Sequence, residues 1–251
     1  MKLPIRILLS IFTGWVVLFI LAKLVFMACY HHLYAGTGIG DICAVIWHGL
    51  KMDLATAGYL TAIPGLILTV GSLFSTSRPT RVILKVYTAV MSLLVLSIIC
   101  TDTALYGYWD FKLDITPLFY VMTDPAAALA SAPQWMVIAS VPAIALLTWG
   151  VYRLMTRLTG IDRYRTDSDG RAKTAVVMLL LTALLFIPIR GGFGVATVNL
   201  STAFYSNNMR LNHAAVNPAF SLIYSATHQQ AFDKMFRFME QDDADRIMAR
   251  V

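Results

Sequence analysis

Charge is what this sequence has least of. Lys and Arg number 20 and Asp and Glu 14, so charged residues make up 14% of the 251, against roughly 25% in soluble domains. A soluble protein of this length needs a charged surface to cover its core. The few charges here come in clusters between apolar runs, which excludes a soluble enzyme and a disordered chain. Cysteine is scarce too. Cys29, Cys43 and Cys100 are too few and too scattered for a metal knuckle or a disulfide framework, although Cys29 and Cys43 could meet at one surface and oxidise. Histidine is absent from every long apolar run, and no H-x-x-x-H or H-E-x-x-H spacing occurs. That argues against a zinc site and against an intramembrane protease needing a His to activate its serine.

What the chain has instead is 58% hydrophobic residues, gathered into stretches near the length of about 20 that an α-helix needs to cross the hydrocarbon of a bilayer. The runs predict transmembrane helices over about 7–26, 55–73, 82–105, 135–154 and 174–189. The expected fold class is all-α, a polytopic membrane helix bundle of about five spans with interfacial amphipathic helices. The first run is too long for a signal-peptide core and lacks an A-x-A site, so it reads as an anchor.

The net charge of +6 does not point to nucleic acid, because the basic residues sit in short loops beside the apolar runs and report orientation. Lys2 and Arg6 precede the first run; Arg78, Arg81 and Lys85 follow the second; Arg153, Arg157, Arg163, Arg165, Arg171 and Lys173 flank the loop before the fifth. The alternate loops hold only Lys51 and Lys112. The positive-inside rule therefore predicts an N-in, C-out protein of the bacterial cytoplasmic (inner) membrane, with an extracytoplasmic tail. Residues 1–190 form the membrane domain and 191–251 the external juxtamembrane helices and linker.

The outer side carries the unusual residues. Between the first two runs, Ile39, Ile42, Cys43, Ile46 and Leu50 recur at helical spacing, predicting a helix lying in the headgroup layer. Lys51 and Asp53 follow, either a snorkelling Lys with its partner Asp or a contact for a lipid headgroup. Tyr106, Tyr108 and Trp109 read as an interfacial belt or as an aromatic wall beside a bound lipid. Asp124-Pro125 and Asn217-Pro218 each read as an N-cap followed by Pro at the first helical position. Pro188 and Arg190-Gly191-Gly192 end the fifth helix sharply. Arg190 either snorkels or holds a lipid phosphate bidentately, with Arg210 as a weaker candidate. Phe232, Met235, Phe236 and Met239 form the apolar stripe of a last amphipathic helix. No residue is assigned to catalysis, and none to a metal.

These segments carry a resemblance. Gly49-Leu50-Lys51-Met52-Asp53-Leu54, Tyr106-Gly107-Tyr108-Trp109, Arg190-Gly191-Gly192, Asn217-Pro218-Ala219-Phe220-Ser221-Leu222-Ile223 and the helix over 232–251 resemble the membrane domain of the lipoteichoic acid synthase and phosphoglycerol transferase family. The resemblance covers nearly the whole chain and implies a sulfatase-like catalytic domain of the alkaline phosphatase superfamily after it. That domain would use a Thr or Ser nucleophile and a divalent metal, usually manganese. No cofactor is implied within this chain. Its implied role is to anchor that domain and present a phospholipid donor, with Arg190, Lys51, Arg210 and Asp53 at the headgroup. The alternative is an independent small transporter or membrane sensor, which the lack of ionisable pairs at mid-depth disfavours.

Overall fold

The computed structural model describes residues 2–130, 133–165, 170–194 and 196–228, with Arg246 and Met248 beyond them. The stripe of the expected last helix, Phe232, Met235, Phe236 and Met239, lies outside the described residues. Among the described residues there is no strand. In chain order the helices are α1 (Lys2–Cys29), α2 (Ile39–Gly71), α3 (Arg78–Trp109), α4 (Thr116–Thr123), α5 (Pro125–Ala130), α6 (Gln134–Thr159), α7 (Arg171–Leu184), α8 (Phe186–Arg190), α9 (Met209–Ala215) and α10 (Pro218–His228). Among the described residues, five stretches are long and apolar enough to span a bilayer: α1, α2, α3, the part of α6 from Val137, and α7 with α8. They coincide with the five expected runs. The chain is an all-α, multi-pass membrane protein.

The spans alternate in direction, so the helix ends sort into two faces. At one face lie Lys2, Arg6, Arg78, Arg81, Lys85, Arg157 and Arg171, and Lys85 pairs with Asp162 across the loops there. We call this the basic end. The other face holds the C-terminus of α1, the N-terminus of α2, the C-termini of α3 and α8, and a cap formed by residues 198–228.

Packing follows from residue size. On α1 the buried residues Ile7, Ile11, Trp15, Phe19, Lys23 and Met27 form one row at four-residue spacing, the geometry of a helix stripe facing neighbours. On α2, small residues let helices approach, as is usual in membranes: a Cβ at Gly65 would lie 2.3 Å from Thr182 Oγ1 of α7. Pro64 sits inside α2 and cannot donate to the carbonyl of Leu60. The Tyr87 hydroxyl of α3 donates to that carbonyl instead, at 2.8 Å, so this acceptor is not stranded in the apolar layer.

One expectation is corrected. The interfacial helix expected before the second span is not a separate element: α2 is one helix of 33 residues, and the buried positions Val45, Gly49, Met52, Asp53 and Thr56 continue a single stripe through it. No Pro or Gly breaker intervenes between 51 and 55, so the helix has no reason to stop there. The tail after the fifth span, expected as juxtamembrane helices and linker, contains α9 and α10 in its described part, which folds back as the cap. The expected stop after Arg190 is present: the amides of Gly191 and Gly192 both donate to Ile187 O, at 3.1 and 2.9 Å, with φ of +92° and +114°, a turn that glycine makes without strain.

Candidate functional site

The capped end encloses a cluster of polar groups that four distant segments bring together. Lys23 of α1 and Asp53 of α2 form an ion pair, with side chains 3% and 0% exposed. Asn217 Nδ2 donates to Asp53 Oδ1 at 2.9 Å. The other end of the same amide accepts the Phe220 amide at 3.1 Å, so Asn217 is the N-cap of α10 that its sequence predicts. At Gly49 the cap presses directly on α2, where a Cβ would lie 2.3 Å from Ala215 O and 2.5 Å from Lys23 Cε.

A second ion pair stands beside the first. Lys112, just past α3, pairs with Asp102, whose other oxygen accepts the Leu113 amide at 2.9 Å. The Lys112 ammonium also lies 4.0 Å from the centre of the Phe26 ring, a cation–π contact. Burial lowers the Lys112 pKa, opposed by the charge and hydrogen bond of Asp102. Lys23, Asp102 and Lys112 line one cavity of about 10 Å³, room for about one water molecule.

Above the pairs, Tyr106 Oη and His213 Nδ1 form a hydrogen bond of 3.0 Å. Burial lowers the His213 pKa, and the positive charge of Lys112 lowers it further, with Asp110 and Asp102 acting the other way. His48 and Tyr205 stack at 4.2 Å between ring centres, and Tyr34 Oη donates to Arg210 O at 3.1 Å.

Counted from the basic end at 1.5 Å per residue, Asp53 lies about 27 Å above Gly71 and Lys23 about 31 Å above Lys2. Against a hydrocarbon layer of about 30 Å, the pairs stand near its capped-end boundary rather than at mid-depth.

The predicted site residues divide accordingly. Asp53 belongs to the buried cluster, and its partner is Lys23, which sequence reasoning left inside an apolar run; the expected pairing with Lys51 is corrected. Lys51 is exposed, two residues from both Gly49 and Asp53 and therefore off the face of α2 that carries them inward. Arg190 and Arg210 are also exposed at the capped end. Of the expected aromatic wall, Tyr106 faces inward at 1% exposure, Tyr108 is 61% exposed, and Trp109 stacks on Phe111 at 5.3 Å. Tyr106 thus packs the cap instead of lining a surface. Cys29 and Cys43 are free and exposed. Among the described residues no group of three or more His, Cys, Asp or Glu gathers as metal ligands would.

One signal did mark Lys23: it falls on the four-residue row between Phe19 and Met27, which faces the bundle and not the lipid. Lys112, Asn217 and His213 become site residues only through contacts that no local spacing encodes. Compared with family models, curated proteins and solved structures, the chain matches none.

Proposed function

We propose that this chain is the membrane-embedded, lipid-presenting part of an extracytoplasmic phosphotransferase of the lipoteichoic acid synthase type, seated in a bacterial cytoplasmic membrane with its capped end outside. The observation that carries the reading is convergence. The segments 49–54, 106–109 and 217–223, which bear the resemblance, meet at the capped end, where Asn217 donates to Asp53 and Met52, Tyr106 and Phe220 pack in one apolar cluster. A cap fastened in this way fixes where the chain leaves the membrane, which is what an anchored catalytic domain requires to meet a lipid headgroup.

In this reading the divalent metal and the Thr or Ser nucleophile belong to a domain after Val251. The residues described here do not assemble a site for the metal, and no step is assigned to them beyond binding and orienting. Phosphatidylglycerol is the model donor. Its phosphate meets the exposed Arg190, with Lys51 and Arg210 as further cations and Tyr108 and Trp109 beside the glycerol.

Two measurements test the reading. The gene's reading frame past Val251 is expected to encode an alkaline-phosphatase-like domain; a stop codon there overturns it. Phosphatidylglycerol binding is expected to weaken about tenfold in Arg190→Ala, a loss of about 1.4 kcal/mol. Arg190→Lys should restore little, because Lys lacks the two-pronged geometry. Unchanged affinity in a folded Arg190→Ala protein removes the donor site. The alternative of a small transporter draws on the buried Lys23–Asp53 pair. Solute uptake by the chain alone, abolished in Asp53→Asn, would favour it.

A further inference from the structure

A groove opens on the lipid-facing wall between α1 and α6, beginning toward the basic end, where its α6 residues lie within eight positions of that helix's terminus at Thr159. It has a volume of about 420 Å³ and is walled by Leu9, Val17 and Leu21 of α1 and by Val151, Leu154 and Leu158 of α6. Its floor is the contact of the two helices, where the Met155 sulfur would lie 2.5 Å from a Cβ at Gly14. From Leu9 to Leu21 the groove runs about 18 Å at 1.5 Å per residue, longer than the depth of about 15 Å that one leaflet contributes to a 30 Å hydrocarbon layer, so its far end passes the bilayer midplane.

The ends of the groove differ. Toward the capped end it is wholly apolar. Toward the basic end its lining includes the hydroxyl residues Ser10 and Thr13. Arg6 lies three and four residues before Leu9 and Ser10, and therefore on the same face of α1; it is exposed. Apolar walls, then hydroxyls, then a guanidinium repeat the order of an acyl chain, its glycerol ester and its phosphate. No acidic residue lines the groove, so a lipid of net negative charge meets no repulsion.

We propose that the α1–α6 groove is a binding site for an anionic phospholipid of the leaflet at the basic end, one acyl chain lying along the groove and the phosphate held by Arg6. This site is separate from the donor site above, lies in the opposite leaflet and does not depend on it.

Native mass spectrometry of the purified chain, with dioleoyl-phosphatidylglycerol added to the detergent, tests the proposal. Val17→Trp and Leu154→Trp fill the groove from opposite walls. Both replace side chains about half exposed, 47% and 58%, so neither disturbs the core, and the melting temperature of each variant verifies folding. Each is expected to remove one retained lipid, or to weaken its retention at least tenfold. Arg6→Gln should weaken the anionic lipid while leaving retention of an uncharged diacylglycerol unchanged. Inorganic phosphate at millimolar concentration should not displace the lipid, since the chain supplies most of the contact. Three results overturn the site: retention equal in wild type and both groove variants, which is annular lipid only; displacement by phosphate alone; or a dimer that Val17→Trp dissociates, which assigns the groove to a second copy of this chain.

Discussion

A lysine on the buried row of a membrane helix survives only with a partner, and Lys23 has Asp53 with Asn217 behind it. Removing one member of such a pair leaves a bare charge in low dielectric, at a cost of about 3–5 kcal/mol. Asp53→Asn should therefore lower the unfolding free energy in detergent by about that amount. The double change Lys23→Met with Asp53→Leu, which leaves no charge, should recover most of it; equal stability of Asp53→Asn and wild type would show that the pair holds nothing. His213 supplies a pH test. Its folded-state pKa lies below the ordinary value of 6.5, chiefly because it is buried, so the unfolded chain binds the proton more readily. The neutral imidazole's stabilisation is full above about pH 6.5 and is lost as the pH falls from there toward the lowered value. Melting temperatures measured from pH 8 to pH 5 should fall more steeply in wild type than in His213→Gln, and parallel curves would refute the assignment. The sequence places Asp53 beside Lys51, two positions away, and nothing in that spacing points to a lysine 30 residues earlier or an asparagine 164 residues later. Only the row on α1 hints at Lys23.

Among the elements, α2 depends on its neighbours for continuity. Pro64 removes one hydrogen bond and Tyr87 replaces it from α3. Tyr87→Phe should cost about 1–3 kcal/mol, the penalty for stranding a buried acceptor. In a Pro64→Ala background, where residue 64 regains its amide hydrogen, the same change should cost little. A chemical-denaturation cycle over the four proteins measures that coupling, and an equal cost in both backgrounds would remove the role given to Tyr87. The starts and stops of elements were legible because they rest on local chemistry. Asp124 Oδ1 accepts the Ala127 amide at 2.9 Å, Asn217 caps α10, and Gly191 closes α8, as their sequences predict. The union of the expected interfacial helix with the second span was not legible from hydropathy. The polar residues Lys51 and Asp53 resemble a membrane boundary in a linear scan, yet in three dimensions Asp53 points into the bundle and the helix passes straight through.

For the molecule as a whole, the two faces differ in charge because the alternating spans deliver nearly all loop Lys and Arg to one end. That asymmetry predicts cytoplasmic placement of the basic end. A cysteine introduced at Arg163 should react with a membrane-impermeant maleimide only after the cells are opened; labelling in intact cells would invert the protein. Number of spans, their alternation and the charged face were all open to sequence reading, since each rests on hydropathy or on counting. The cap was not, because its hold on the bundle consists of contacts that residues 198–220 make with α1, α2 and α3, far away in sequence.

Asn217 does two jobs with one side chain, starting α10 with its oxygen and completing the Lys23–Asp53 cluster with its nitrogen. During synthesis the first two spans emerge long before residue 217, so their ion pair waits incomplete until the last span is in place. The N-cap bond to Phe220 is local, but the cap helix is fastened to the bundle only where α1 and α2 already stand side by side. A bundle in which α1 and α2 stand apart leaves Asn217 Nδ2 without the paired carboxylate that accepts from it here.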